Sequence, residues 1–245
     1  SGSRLPPGEA AIRYAALQGG REEACVPGSG ILTSAPNAAL AGGMLAHADE
    51  TDDSHLVSRC HPGCGVVPAA LAMAEREGRS GGALLRAVVL GYDICCRTTP
   101  AIGVDHLYEG GHSTHTFAPL FGAAAAAGAL AGLSEKQIPW LISYAAQQAS
   151  GVNCWQRDED HIEKAFDFGG MPARNGTAAA AMVSAGFTGV ADVFTGPRNF
   201  FFAFSADSHP EFLTEELGER FEIMETNIKK WSVGSPIQAA LDSVE

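Results

Sequence analysis

Residues 121–133 read FGAAAAAGALAGL, a stretch with no charged and no polar side chain. A helix that is apolar on every side has no face to offer water, so it belongs in the middle of a protein. Its alanines and glycines let neighbouring helices come close. The next residues, Ser134-Glu135-Lys136-Gln137, have the form of a capping box, with Leu133 and Ile138 placed as a hydrophobic staple. Pro139 falls in the first turn, where a missing amide proton costs little, and the helix is expected to run to about Gln148. Upstream, Val66–Gly78 carries small apolar residues at helical spacing and ends on glycine. Ser80 caps a further segment, Gly81–Arg97, whose core face is Leu84, Leu85, Val88, Val89 and Tyr92. Downstream, Asn175–Ala185 is another alanine-rich helix, stopped by Gly186. Apolar helices joined by short glycine-rich loops predict an all-α, bundle-like domain over residues 1–220. Phe221–Val233 (FEIMETNIKKWSV) changes character, with β-formers in partial alternation. Residues 221–245 are therefore expected to form a strand or a crossover into another domain.

Acidic residues outnumber basic ones 28 to 16, a formal net charge of −12, and no basic tract is present to neutralise a row of phosphates. Nucleic acid is excluded as a partner on that ground. A small anionic substrate is not, because only the local field of a pocket acts on its ligand. No run of eighteen apolar residues predicts a membrane span. Residues 1–12 lack the apolar core of a secretory or transit segment. The cysteines at 25, 60, 64, 95, 96 and 154 do not form a disulfide framework, and reduced thiols in a cytoplasm are expected.

Four segments carry chemistry. The densest, AHADETDDSHLVSRCHPGCGVVP at 46–68, packs His47, Asp49, Glu50, Asp52, Asp53, His55, Cys60, His61 and Cys64 together. A solvated acidic loop would account for the carboxylates but not for three histidines and two cysteines among them, and clustered titratable groups mark sites. Cys60, His61 and Cys64 with neighbouring Asp and His form a candidate zinc set, yet no second cysteine pair at ligand spacing follows. Acid–base work is the other reading, since partial burial moves carboxylate and imidazole pKa values towards neutrality. In the second segment, GGHSTHTFAPLFG at 110–122, His112 and His115 precede the small-residue helix, where free amides also attract carboxylates. The third, DEDHIEKAFDFGGMPARNG at 158–176, holds Lys164 and Arg174, and the fourth, TNIKKWSVGSP at 226–236, holds Lys229 and Lys230 before Trp231. Lysines beside acids are most often solvated ion pairs.

In this order the four segments resemble the MmgE/PrpD family, which includes 2-methylcitrate dehydratase, cis-aconitate decarboxylase and iminodisuccinate epimerase. The resemblance lies in His47, Glu50, Asp52-Asp53-Ser54 and His61-Pro62. It continues through Gly111-His112-x-Thr114 before the alanine-rich helix, Lys164 to Gly176, the intact Gly186-Phe187-Thr188-Gly189, and Lys229 with Trp231. Glu50 stands where other members carry aspartate and Ser54 where they carry threonine, while His112 and His115 compete for one family histidine. The resemblance implies a large helical domain (1–220), a smaller α+β lid of which residues 221–245 are only the crossover and start, usually a homodimer, and no obligatory metal or organic cofactor. It further implies a pocket lined by Glu50, Ser54, His61, His112, Lys164 and Lys229.

On this reading the enzyme is a cofactor-independent lyase or isomerase of a small di- or tricarboxylic acid, with 2-methylcitrate dehydratase-like dehydration favoured. His61 or His112 moves the proton, Glu50 and Asp53 hold those imidazoles, and Lys164 completes the catalytic set. Ser54, Lys229, His115 and Arg174 bind substrate carboxylates. The alternatives are a metal-dependent hydrolase built on the 47–64 cluster and a non-catalytic carboxylate-binding protein.

Overall fold

The computed structural model describes residues 1–245. Helices α1 (Pro6–Gln18), α2 (Ala35–His47), α3 (Pro62–Arg76), α4 (Gly81–Ile102), α5 (Val104–Glu109) and α6 (Thr114–Ala131) come first. They are followed by α7 (Ile138–Gln147), α8 (Ile162–Ala165), α9 (Met171–Ser184), α10 (Phe200–Phe204) and α11 (Gln238–Asp242). Strand structure is confined to two antiparallel pairs of two residues each: β1 (Ala24–Cys25) with β2 (Leu32–Thr33), and β3 (Ser54–His55) with β4 (Thr226–Asn227). The fold is all-α and bundle-like, as expected from the helical segments.

The small-residue helix α6 is the axis of the bundle, packed against α3, α4, α7 and α9. Phe117, Leu120, Ala123, Ala126 and Ala127 along it are fully buried. Close approach explains the composition: a Cβ on Gly122 would collide with the backbone of Gly91 on α4, and one on Gly176 of α9 with the α6 backbone at Ala124. Burial of this kind, at about 25 cal/mol per Å2 of apolar surface, is the main stabilising term.

Helix starts lie earlier than the apolar pattern indicates, because prolines occupy first turns. α3 opens on Pro62 and α9 has Pro172 at its second residue, positions that need no amide donor. The capping box forms: Ser134 N–H donates to Gln137 Oε1 at 3.0 Å, closing a short 3₁₀ turn that leads into α7. α4 continues past Arg97 through Pro100 to Ile102. Helices α1 and α2 escape the sequence pattern, since Pro6-Pro7-Gly8 and Gly42-Gly43 read as breakers. No helix is long and apolar enough to cross a membrane, and all six cysteines are free.

Beyond Ser205 the chain folds back over α4. The buried Arg97 guanidinium donates to the carbonyls of Arg220 (3.0 Å) and Glu215 and to Asp93 Oδ2 (3.1 Å), while Glu222 N–H donates to Asp93 Oδ1 at 3.0 Å. That clamp fixes where β4 pairs with β3, in the register Ser54 to Asn227 and His55 to Thr226. Two residues beyond the paired positions, Lys229 meets Asp52. The β character of Phe221–Val233 is thus realised as a 3₁₀ turn and one short strand.

Candidate active site

Three local irregularities build the site. α2 ends at His47, and Glu50 just beyond it takes a left-handed conformation (φ 57°). His161, before α8, does the same (φ 61°). Such backbone costs a non-glycine residue about 1–3 kcal/mol and collects at functional sites. Between α8 and α9 the chain makes a single π-helical turn, Phe166–Gly170. The extra residue of a π-turn re-aims the side chains on either side of it. Here it is locked by Gly169 and Gly43 of α2, whose backbones touch so closely that a Cβ on either would collide with the other.

The π-turn drives Phe168 into a ring of imidazoles. Its ring stacks on His115 (centroids 3.8 Å apart) and His47 (4.3 Å), with His61 at 5.3 Å and Trp155 at 4.7 Å. His161 stacks on His47 at 5.3 Å. Four buried ring nitrogens in this group have no hydrogen-bond partner: His47 Nε2, His61 Nδ1, His115 Nδ1 and His161 Nε2. Unsatisfied buried polar atoms are rare, because each forgoes the hydrogen bonds it makes in water.

The cations come from opposite ends of the chain. Lys164 bonds Glu50 Oε1 and lies 5.2 Å from the centre of the Phe168 ring. Lys229 Nζ donates to Asp52 Oδ1 (2.9 Å) and Glu50 Oε2 (3.3 Å), with only 2% of its side chain exposed. Asp52 Oδ2 also accepts from His47 Nδ1 at 2.7 Å. That bond fixes the proton on Nδ1 of a neutral His47 and leaves Nε2 free to accept. The cavity beneath these groups has a volume of about 840 Å3 and is lined by Glu50, Ser54, His61, His115, Trp155, Lys164, Phe168 and Lys229 among others.

Electrostatics follow from burial. Burial pushes His115 well below the ordinary imidazole value, and the His61, His47 and Lys164 charges add to this. His47 is lowered by burial against the pull of Asp52. Burial would raise Glu50, but His47, Lys164 and Lys229 outweigh it and hold the carboxyl at about 2. Asp52 is held far below its ordinary value, burial being overcome by the His47 hydrogen bond and by the His61 imidazole 3.5 Å away. At neutral pH the site therefore presents neutral His47 and His115 beside two carboxylates and two ammonium groups.

The model of the MmgE/PrpD N-terminal domain matches residues 1–213. The chain belongs to the MmgE/PrpD family. This is a family of the dehydratase and lyase type that includes enzymes. Among curated proteins, no relative matches.

Of the residues singled out in the sequence, the structure brings Glu50, Ser54, His61, His115, Lys164 and Lys229 to one cavity. It does not bring His112, Asp53 or Arg174. His112 lies in the loop before α6, where its backbone bridges Val152 and its ring packs on Phe117 (5.6 Å) and Phe204 (6.0 Å). His115, within the first turn of α6, occupies the place expected for it. Asp53 turns away from Asp52 and accepts the Gly63 N–H at 2.9 Å at the start of α3. Burial raises its carboxyl. Arg174 lies over the Phe166 ring (5.7 Å) in a separate groove with Tyr14, Leu40 and Met44. Asp52, His47, His161, Trp155 and Phe168 complete the site without having been assigned roles beforehand. His47 and Asp52 stood inside the titratable cluster, but nothing in a linear pattern marks the Phe168 π-turn. A metal donor set also exists, His47 Nε2, Glu50 Oε1 and His161 Nε2 within 4.8 Å of one another. Two ammonium groups already neutralise that Glu50, which disfavours a cation there.

Proposed function

We propose that this protein is a cofactor-independent lyase or isomerase that moves a proton at a carbon next to a carboxylate of a small di- or tricarboxylic acid, with dehydration of a hydroxy acid as the favoured reaction. One observation carries the reading: imidazoles with free buried nitrogens and two lysines meet around one cavity large enough for such an acid. Lys164 and Lys229 anchor substrate carboxylates by exchanging part of their bonding from Glu50 and Asp52. Ser54, at the cavity wall, supplies a hydroxyl donor. His115, kept neutral by burial, is the base, and its free Nδ1 is the accepting atom. His61, with rings 5.2 Å apart from His115, is the partner that protonates the departing hydroxyl. Negative charge spreads onto the substrate carboxylate as the C–H bond breaks. Fixed ammonium groups, that of Lys229 nearly withdrawn from solvent, stabilise that charge by several kcal/mol.

The test is turnover by the full chain of a panel of hydroxylated di- and tricarboxylic acids, followed by alkene absorbance and by proton exchange in D2O. His115→Ala is expected to lower turnover about 10²–10⁴-fold, the usual contribution of a positioned acid or base. His112→Ala is expected to stay near wild type. Equal loss in both variants, or full activity in a folded His115→Ala protein, would overturn the assignment.

A further inference from the structure

Behind the cavity wall lies a second group of reactive side chains that acid–base chemistry does not use. Cys60 Sγ is 3.7 Å from Cys95 Sγ, and the sulfurs of Cys60, Cys95 and Cys96 all fall within 4.8 Å of one another. All three residues are buried and their thiols are free. Metal–thiolate bonds of about 2.3 Å in a trigonal plane place the sulfurs about 4.0 Å apart. The spacing present is already that of a three-sulfur site, and small rotamer changes would close it.

We propose that Cys60, Cys95 and Cys96 form a trigonal thiolate site for a soft, thiophilic cation, the cuprous ion in particular. The choice of ion follows from the donors. Soft thiolates select Cu(I) and zinc, but zinc takes a fourth ligand. The His55 imidazole cannot serve as one without giving up a partner, being committed on both sides: Nδ1 to Ser58 Oγ at 2.8 Å and Nε2 to Glu222 at 3.4 Å. Three-coordinate Cu(I) needs no more than the three sulfurs. Entry is through the large cavity, which Cys60 borders. Ser58 Oγ stands 3.0 Å from Cys60 Sγ and orients it. Cys60, the one of the three that borders this cavity, is therefore the sulfur that meets the ion first. Binding forms three Cu–S bonds and releases three thiol protons to solvent, with no change in oxidation state. Because Cys60 directly precedes His61, the bound ion would also fix the backbone that carries one of the active-site imidazoles.

The experiment is anaerobic titration of the full-length chain with Cu(I) supplied from a coloured chelator, in a Cys25→Ser, Cys154→Ser background that removes the more accessible thiols. One equivalent of copper is expected to transfer to the protein, and X-ray absorption of the loaded protein is expected to find three sulfur scatterers at about 2.3 Å. Outer-shell losses alone weaken metal sites about 10–100-fold, so loss of a thiolate in Cys95→Ala or Cys96→Ala is expected to exceed about 100-fold. Near-UV circular dichroism checks folding of each variant. No transfer to the folded parent, nitrogen or oxygen scatterers in place of sulfur, or unchanged uptake by a folded Cys95→Ala protein would overturn the site. Should neither alanine variant fold, the scattering result on the parent decides. The readout is independent of turnover, so failure here leaves the acid–base reading untouched.

Discussion

Replacing Asp52 by asparagine strands a buried ammonium. Lys229 Nζ has two carboxylate partners, Asp52 at 2.9 Å and Glu50 at 3.3 Å, and almost no contact with water. Removing one partner of a buried ion pair costs about 3–5 kcal/mol when the other charge is left alone. Here Glu50 remains and the asparagine carbonyl still accepts a hydrogen bond, so the expected loss is smaller, about 2–3 kcal/mol. For a chain of this size that corresponds to roughly 4–12 °C in Tm, at about 2–4 °C per kcal/mol. Urea denaturation of wild type, Asp52→Asn, Lys229→Met and the double variant separates the causes. If the stranded charge is responsible, Lys229→Met in the Asp52→Asn background restores at least half of the loss. A change below about 0.5 kcal/mol in Asp52→Asn, the range of ordinary surface substitutions, refutes the reasoning. So does a double variant that simply adds the two single losses, since residues in one network couple.

Burial pushes the Asp167 carboxyl up to about 6, against hydrogen bonds from Ser113 and Thr116. A group whose folded pKa is raised stabilises fully below its unfolded value, and that contribution is lost as pH rises through the folded value. Wild type is thus expected to lose stability relative to Asp167→Asn between about pH 4 and pH 6, and parallel urea midpoints across that window would contradict this. Gly43→Ala places a Cβ against the Gly169 backbone, which cannot yield as a side chain can. Overpacking costs about 1–3 kcal/mol, and the upper end is expected here. Gly30→Ala, where nothing lies within 4 Å of the added Cβ, serves as the control and is expected to leave Tm unchanged.

The fold was legible because burial imposes composition. A helix at the axis of a bundle must be apolar on all sides and small where neighbours cross it, and residues 121–133 state both conditions in sequence. The Ser134–Gln137 cap was equally plain, since its two hydrogen bonds join residues three apart. What stayed hidden was helix built against local preference. α2 runs through Gly42-Gly43 because Gly43 must let the π-turn approach, a tertiary reason with no local signature. Propensity yields to packing in such places.

The site divides along the same line. Residue types were readable: imidazoles and lysines that acid–base chemistry needs, in clusters denser than a solvated surface explains. Direction was not. His112 and His115 are three residues apart and equally eligible by pattern, yet a backbone bridge to Val152 turns one into a phenylalanine cluster and the first turn of α6 turns the other onto Phe168. Asp52 and Asp53 are adjacent in the bend before β3, yet they meet different partners, one Lys229 and one Gly63. In the second pair the difference is a single position along the chain. The register of β3 is itself fixed from more than 150 residues away, by the Arg97 clamp that delivers β4 and Lys229 to the cavity. Mutating His115 and His112 side by side therefore tests the fold and the proposed chemistry together.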